Sequence, residues 1–358
     1  MDTMDKPCQV IVSPIDSCIS KLNDDILCYI LAMLFNSSDF IRYYKIISGI
    51  NKQFNIIVLN IIPILTQINL IRNNFYTDHK SNKLEEILKK TKNITTLEFK
   101  ESFINSNVLL SLVAFFKNNT TLTTVRFYKV WNWNKEKDGI EKENFLKTFL
   151  INTTLIELDI SYMEIEKVFG ISKVIAEALK INKTLTKLSL NGNRLYDDQV
   201  CAIAEALKHN STLKTLNLSN TYIQAEGTKS IGKTLEINKT LTKLSYAGNR
   251  CYKEGAKAIA KALKHNSTLI TLDLSDSSID TYGVIPIAEA LKTNTTLTRL
   301  DFHSHYSGDT GAKAIAEAVK INTTLTLLDF RSHTISVDGE KAIREALETN
   351  TTIRIITS

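Results

Sequence analysis

The chain repeats itself at a fixed step, and that limits its fold more than any other feature. The stretch from Ile181 to Asn210, INKTLTKLSLNGNRLYDDQVCAIAEALKHN, holds one short strand pattern, one Asn-containing turn and one amphipathic helix, and then begins again. Asn182, Asn210, Asn238, Asn266, Asn294, Asn322 and Asn350 follow one another every 28 residues. One such unit cannot bury both its strand face and its helix face. A stack of units buries both, so the period predicts a solenoid.

The central apolar residues of the strand patterns are Leu97, Val125, Leu158, Leu188, Leu216, Leu244, Leu272, Leu300, Leu328 and Ile356, with steps of 28, 33 and 30 before the regular run of 28. Each strand reads L-x-x-L-x-L, as in Leu185, Leu188 and Leu190, and is followed by a turn holding Asn193 and Leu195. The helix then places Val200, Ile203, Ala204 and Leu207 on one face. Small residues such as Ala256, Ala258 and Ala260 let helix and strand come close. INKTLTKLS opens the units at Ile181 and Ile237, and HNSTL opens those at His209 and His265, so a pair of units was itself duplicated.

Strand pattern, helix pattern and period together resemble the ribonuclease-inhibitor class of leucine-rich repeats over residues 93–358. The resemblance implies an α/β leucine-rich-repeat solenoid, a horseshoe with parallel strands inside and helices outside. It also implies a protein that binds other proteins.

Residues 1–14 carry Pro7 and Pro14 and no period, and are expected to form a flexible tail. From Leu22 the pattern is helical: Leu22, Ile26, Leu27, Ile30, Leu31 and Leu34 share a face, and Asn23, Asp24 and Asp25 suit the helix start. Two more short helical segments follow, from Asp39 and from Asn51. The run Leu22-Asn23-Asp24-Asp25-Ile26-Leu27, the pair Ile30-Leu31 and the segment Lys52-Gln53-Phe54 resemble an F-box over residues 15–60. Asn23 stands where that family usually has proline, and the interval from Asp39 to Lys52 is longer than usual. The alternative is a plain helical cap closing the solenoid. Residues 61–92 read as a helical linker or cap, with Leu84, Ile87 and Leu88 on one face. The most apolar stretch, Asn55 to Ile71, is broken by Asn60, Pro63 and Gln67 and reads as buried helix rather than a membrane span.

The formal charge of +6 is spread along the chain and makes no basic stripe of the kind that binds nucleic acid. The five cysteines form no C-x-x-C pair, which fits a reduced, intracellular protein, cytoplasmic or nuclear. The N-terminus has no charged-then-apolar secretion pattern, so the N-x-[ST] sequons read as repeat chemistry. Phosphate loops, nucleophile elbows and zinc-protease motifs are absent from the sequence, and no enzyme activity, metal or cofactor is expected. Cys201 and Cys251 read as small core residues.

Strand residues that alternate with the leucines should line the concave face in rows. One row is Asp159, Ser189, Asn217, Ser245, Asp273, Asp301 and Asp329, and its neighbour is Glu157, Lys187, Thr215, Lys243, Thr271, Arg299 and Leu327. Arg299, Asp301, His303, Asp329 and Arg331 are the candidate charged patch for a protein ligand, or else a self-neutralising surface. His305 and His333 fall in the column of Asn193 and Asn249, which bonds turn backbone in this repeat class, so a structural role is expected rather than a metal site. The longer step of 33 inserts Trp131 and Trp133, candidate anchors for a partner or covers for an irregular junction. The chain ends within a strand pattern, leaving an edge to be covered.

The expected function is protein binding without catalysis. With an F-box, Leu22, Asp24, Ile26, Leu27, Ile30 and Leu31 would dock on the adaptor of a cullin-type ubiquitin ligase, and the repeats would present a protein substrate. Without one, the chain would be a stand-alone scaffold or inhibitor. A third version, a small-GTPase regulator, lacks the acidic tail usual in that family.

Overall fold

The computed structural model describes residues 67–71, 74–75, 88–89, 93–104, 106–130, 139–165, 170–303 and 306–356. The tail, the F-box-like residues Leu22, Asp24, Ile26, Leu27, Ile30 and Leu31, the two tryptophans Trp131 and Trp133, and His305 lie outside the described residues.

In chain order the elements are β1 Gln67–Ile71, β2 Asn74–Phe75, β3 Thr96–Lys100, β4 Phe103–Ile104, α1 Ser106–Asn118, β5 Thr124–Tyr128, α2 Gly139–Leu150, β6 Glu157–Asp159, α3 Ile171–Ile181, β7 Lys187–Ser189, α4 Asp197–Leu207, β8 Thr215–Asn217, α5 Ala225–Ile237, β9 Lys243–Ser245, α6 Tyr252–His265, β10 Thr271–Asp273, α7 Thr281–Leu291, β11 Arg299–Asp301, α8 Gly308–Ile321, β12 Leu327–Asp329, α9 Val337–Thr349 and β13 Arg354–Ile356. Among the described residues, eleven strands pair in sequence order into one sheet, while β2 and β4 pair separately. Every pairing is parallel, as in Leu188↔Leu216 and Leu272↔Leu300. Consecutive helices pack on one another along the array. This is the alternating α/β solenoid that the period predicts.

The core lies between sheet and helices. Leu185, Leu188 and Leu190 from the strand side meet Ile203, Ala204 and Leu207 from the helix side, all buried. Each fully buried leucine contributes roughly 1.5–3 kcal/mol, which one unit alone could not collect. Ala256 and Ala260 are buried as expected, but Ala258 is only half-buried and serves a different contact. A Cβ on Gly232 would lie 2.9 Å from the Ala258 carbonyl, so these two small residues set how closely α5 approaches α6.

The repeated asparagine is the hydrogen-bonding spine. Asn210 donates from Nδ2 to the Leu179 carbonyl at 2.7 Å, and its Oδ1 accepts from Thr212 N at 3.0 Å and Leu213 N at 2.8 Å. Asn182, Asn238, Asn266, Asn294 and Asn322 do the same between their own units, and Asn350 bonds the Val319 carbonyl and Thr352 N. These side chains are buried, and the following threonine of the sequon supplies one of the bonded amides.

Two expectations change. Residues 67–71, assigned above to a buried helix and then to a helical linker, form strand β1, with Ile68 opposite Leu97 and Leu70 opposite Phe99. The sheet therefore starts before residue 93, and only Leu88 and Lys89 of the proposed linker helix are described as helical. Parallel pairing to β3 satisfies a whole row of backbone groups, which outweighs the helical reading of a short apolar run. At the far end Leu328 pairs with Ile355, not Ile356. An interior strand has its register fixed from both sides, whereas among the described residues β13 has a partner on one side only. No helix among the described residues is long and apolar enough to cross a membrane.

Candidate functional site

Alternation along each three-residue strand sends the central leucine inward and its two neighbours to the open face of the sheet. Register then turns these neighbours into rows. Glu157, Lys187, Thr215, Lys243, Thr271, Arg299 and Leu327 are consecutive partners, and so are Asp159, Ser189, Asn217, Ser245, Asp273, Asp301 and Asp329.

The charged patch at β11 and β12 is assembled, but it is closed on itself. Arg299 Nε donates to Asp301 Oδ2 at 2.9 Å and to Oδ1 at 3.1 Å. Arg331 grips Asp329 with two bonds of 2.7 Å, Nε to Oδ1 and Nη2 to Oδ2. These bonds push both guanidinium pKa values up. The carboxylates are mostly covered and the arginines about half exposed. His303 lies 3.8 Å from Asp276 at the end of this patch. The self-neutralising arrangement is thus present, and such solvent-screened pairs add little to stability.

A second charged network lies at the opposite end of the face. Arg126 reaches Glu157 at 2.8 Å and Glu98 at 3.9 Å, and Lys187 reaches Glu157 at 3.4 Å. Beside this network is an open cavity of about 220 Å³, lined by Glu157, Asp159, Lys187, Asn217 and Lys243 among others. Burial pushes the Asp159 carboxyl pKa up, while bonds from the Ser161 hydroxyl and the Ser161 N–H (2.9 Å) oppose the rise. Ser161 Oγ also lies 2.9 Å from Ser189 Oγ. Lys243 forms no ion pair among the described residues. The cavity needs four adjacent strands in register, so no single motif announces it.

The turn column behaves as expected where it holds Asn, Thr or Ser. Asn193 Nδ2 donates to the Ile160 and Leu190 carbonyls, and Asn249 Oδ1 accepts from Thr221 N and Ile223 N. Thr221 Oγ1 and Ser277 Oγ donate to carbonyls in the same place. His333 differs from these residues in exposure. It is exposed, and the neighbouring Ser332 is buried. Among the described residues no group of three His, Cys, Asp or Glu side chains converges on a point a metal could occupy. Cys251 is fully buried, which pushes its thiol up to about 12, too high for a nucleophile at neutral pH.

A family model described as the TMOD/LMOD leucine-rich domain matches residues 143–278, from α2 through β10. Among solved structures, leiomodin-1 actin-binding site 2 is 30% identical, with a TM-score of 0.38, over 41% of this chain and 87% of that one. The tropomodulin C-terminal domain of Caenorhabditis elegans is 16% identical, with a TM-score of 0.37, over 42% of this chain and 93% of that one. The Rad7 and Elc1 complex of yeast is 13% identical, with a TM-score of 0.43, over 99% of this chain and 98% of that one. No curated protein matches.

Proposed function

The chain is a leucine-rich-repeat protein, and we propose that it is a non-enzymatic, intracellular binding protein of the ribonuclease-inhibitor repeat type that holds a protein target on the strand face. One observation carries this reading: a continuous parallel sheet offers unbroken rows of polar side chains, from the cavity at Glu157 and Lys243 to the ion pairs at Arg299 and Arg331. Such a surface suits many shallow contacts over several units rather than one small ligand. Cys201 and Cys251 are both free, in keeping with a reducing compartment.

In the finer form of the proposal, residues 15–60 act as an F-box that docks on the adaptor of a cullin-type ubiquitin ligase, so that the repeats select its substrate. Its support is the run Leu22-Asn23-Asp24-Asp25-Ile26-Leu27 with Ile30-Leu31. Purified full-length chain should retain the adaptor in a pull-down, and Leu27→Asp with Ile30→Asp should abolish retention. No retention by the folded wild-type chain would sink the ubiquitin role and leave the stand-alone scaffold. Leiomodin-1, in the fragment compared above, is named as an actin-binding site. Co-sedimentation of this chain with filamentous actin tests whether the match over residues 143–278 extends to that ligand.

On the strand face, Lys243→Glu and Arg331→Glu are expected to weaken target binding by more than about tenfold each, as loss of an interfacial charge contact does. A target bound equally well by both variants would move the binding surface elsewhere.

A further inference from the structure

Because the strands are parallel and in sequence order, every strand-to-helix loop leaves the sheet at the same edge. That edge collects tyrosine. Of the tyrosines that follow Ile94, only Tyr246 is a core residue; all the others stand in a strand-to-helix loop or at its boundary. Five consecutive units contribute one exposed ring each: Tyr196, Tyr222, Tyr252, Tyr282 and Tyr306, between 44% and 66% open.

Duplication accounts for Tyr196 and Tyr252, which are 56 residues apart, but not for the whole row, because the five rings fall in three different columns. Tyr196 and Tyr252 follow the strand centre by eight residues, Tyr222 and Tyr306 by six, and Tyr282 by ten. Nor does local geometry ask for them. Tyr222 and Tyr252 hold left-handed backbone, with φ of 61° and 51°, which disfavours a bulky side chain. The same loops meet left-handed geometry cheaply with Gly192 at 71° and Gly248 at 69°. Residues kept in a strained conformation cluster at functional surfaces.

Positive charge accompanies the rings. Tyr196 and Tyr222 lie 6.4 Å apart, with Arg194 5.3 Å from the centre of Tyr222, and Lys253 is 5.1 Å from the centre of Tyr282. Residues 190–196, 218–224 and 246–253 include Arg194, Arg250 and Lys253 and no carboxylate. Just beyond them, Asp197 accepts from Gln224 N at 2.6 Å, Glu226 pairs with Lys229 at 2.7 Å and Glu254 pairs with Lys257 at 2.9 Å. Arg250 and Lys253 form no ion pair among the described residues.

From this we infer that the edge between β7 and α6 is a docking surface for an acidic segment of a partner protein, bounded by the next loop, which carries Asp276 and Asp280. Its carboxylates meet Arg250 and Lys253, and its backbone and apolar atoms lie on Tyr196, Tyr222 and Tyr252. Tyrosine with arginine is the pairing enriched where protein interfaces gain most of their affinity. A nucleic-acid strand carries a phosphate at every nucleotide and needs a longer cationic track than Arg250 and Lys253 supply, with Asp197, Asp198, Glu226 and Glu254 at the starts of the following helices, whereas an acidic segment can place a few carboxylates on these two side chains. The surface is distinct from the strand face and does not rest on that reading.

The test selects phage-displayed random peptides on the full-length chain, then titrates a selected peptide and a short oligothymidylate by fluorescence anisotropy. Selected peptides should be rich in Asp and Glu, and the oligonucleotide should not bind. Arg250→Glu with Lys253→Glu, and separately Tyr222→Asn with Tyr252→Asn, should each weaken the peptide by more than about tenfold. If the charge reversal lowers the unfolding midpoint, Arg250→Gln with Lys253→Gln makes the same comparison, with a loss of at least about threefold. Arg331→Glu, on the strand face, should leave the peptide unaffected. Peptides without acidic enrichment, tight oligonucleotide binding, affinity untouched by the edge variants, or affinity lost with Arg331→Glu would each overturn the inference.

Discussion

The two edges of the sheet carry different kinds of regularity. At the helix-to-strand edge, one asparagine recurs in one column and, from Asn182 to Asn350, donates to a carbonyl of the preceding unit and accepts from the amide two residues on. At the strand-to-helix edge, tyrosine recurs in one place but in shifting columns. A residue fixed to a column answers to the backbone of its own unit. A residue type fixed to a location across units answers to something that lies over several units at once. The first kind specifies the fold, and the second points to a ligand.

Substitutions at the two edges should therefore separate stability from binding. The largest effect is expected for Asn238→Ala. It removes the donors to Leu207 O and Asn210 O and strands the amides of Thr240 and Leu241, at a cost of about 3 kcal/mol in urea unfolding. Gly232→Leu comes next, at about 2 kcal/mol, because its side chain would press on the Ala258 backbone. Tyr246→Phe should cost about 1 kcal/mol, through loss of the bond of 2.6 Å with Thr228 in a site where burial holds the phenol neutral. At the other edge, Tyr222→Asn should stay within about 0.5 kcal/mol of wild type, since asparagine tolerates left-handed backbone, as Asn220 does at 54°. A loss at Tyr222 comparable to that at Asn238 would erase the contrast.

The smallest effect is a pH slope. Burial raises the Asp159 pKa, so the folded chain keeps this proton to a higher pH than the unfolded chain, whose aspartate titrates near about 3.9. Stability from this group is therefore greatest below that value and falls as pH rises through the folded pKa. Asp159→Asn should flatten that part of the acid-range unfolding profile.

The array was legible from Asn182 onward because period, strand pattern and helix pattern agree there. β1 was missed although Leu65, Ile68, Leu70, Asn73 and Phe75 repeat the spacing of Leu185, Leu188, Leu190, Asn193 and Leu195. The isoleucine-rich run before it, from Asn55 to Leu65, hid the strand inside what read as one apolar helix. The candidate site was legible only as rows. The sequence places Arg299 beside Asp301, but the closing of those charges on each other depends on rotamers. The tyrosine edge escaped notice because a column alignment looks for sameness in register, whereas these rings share only an edge that exists once the units are stacked.

The contrast is tested most directly by measuring the urea midpoint and the affinity for a selected acidic peptide in the same preparation of Tyr222→Asn with Tyr252→Asn. The predicted result is a midpoint close to that of wild type and an affinity reduced by more than about tenfold. A lowered midpoint with full affinity would contradict it, and would return these tyrosines to the fold.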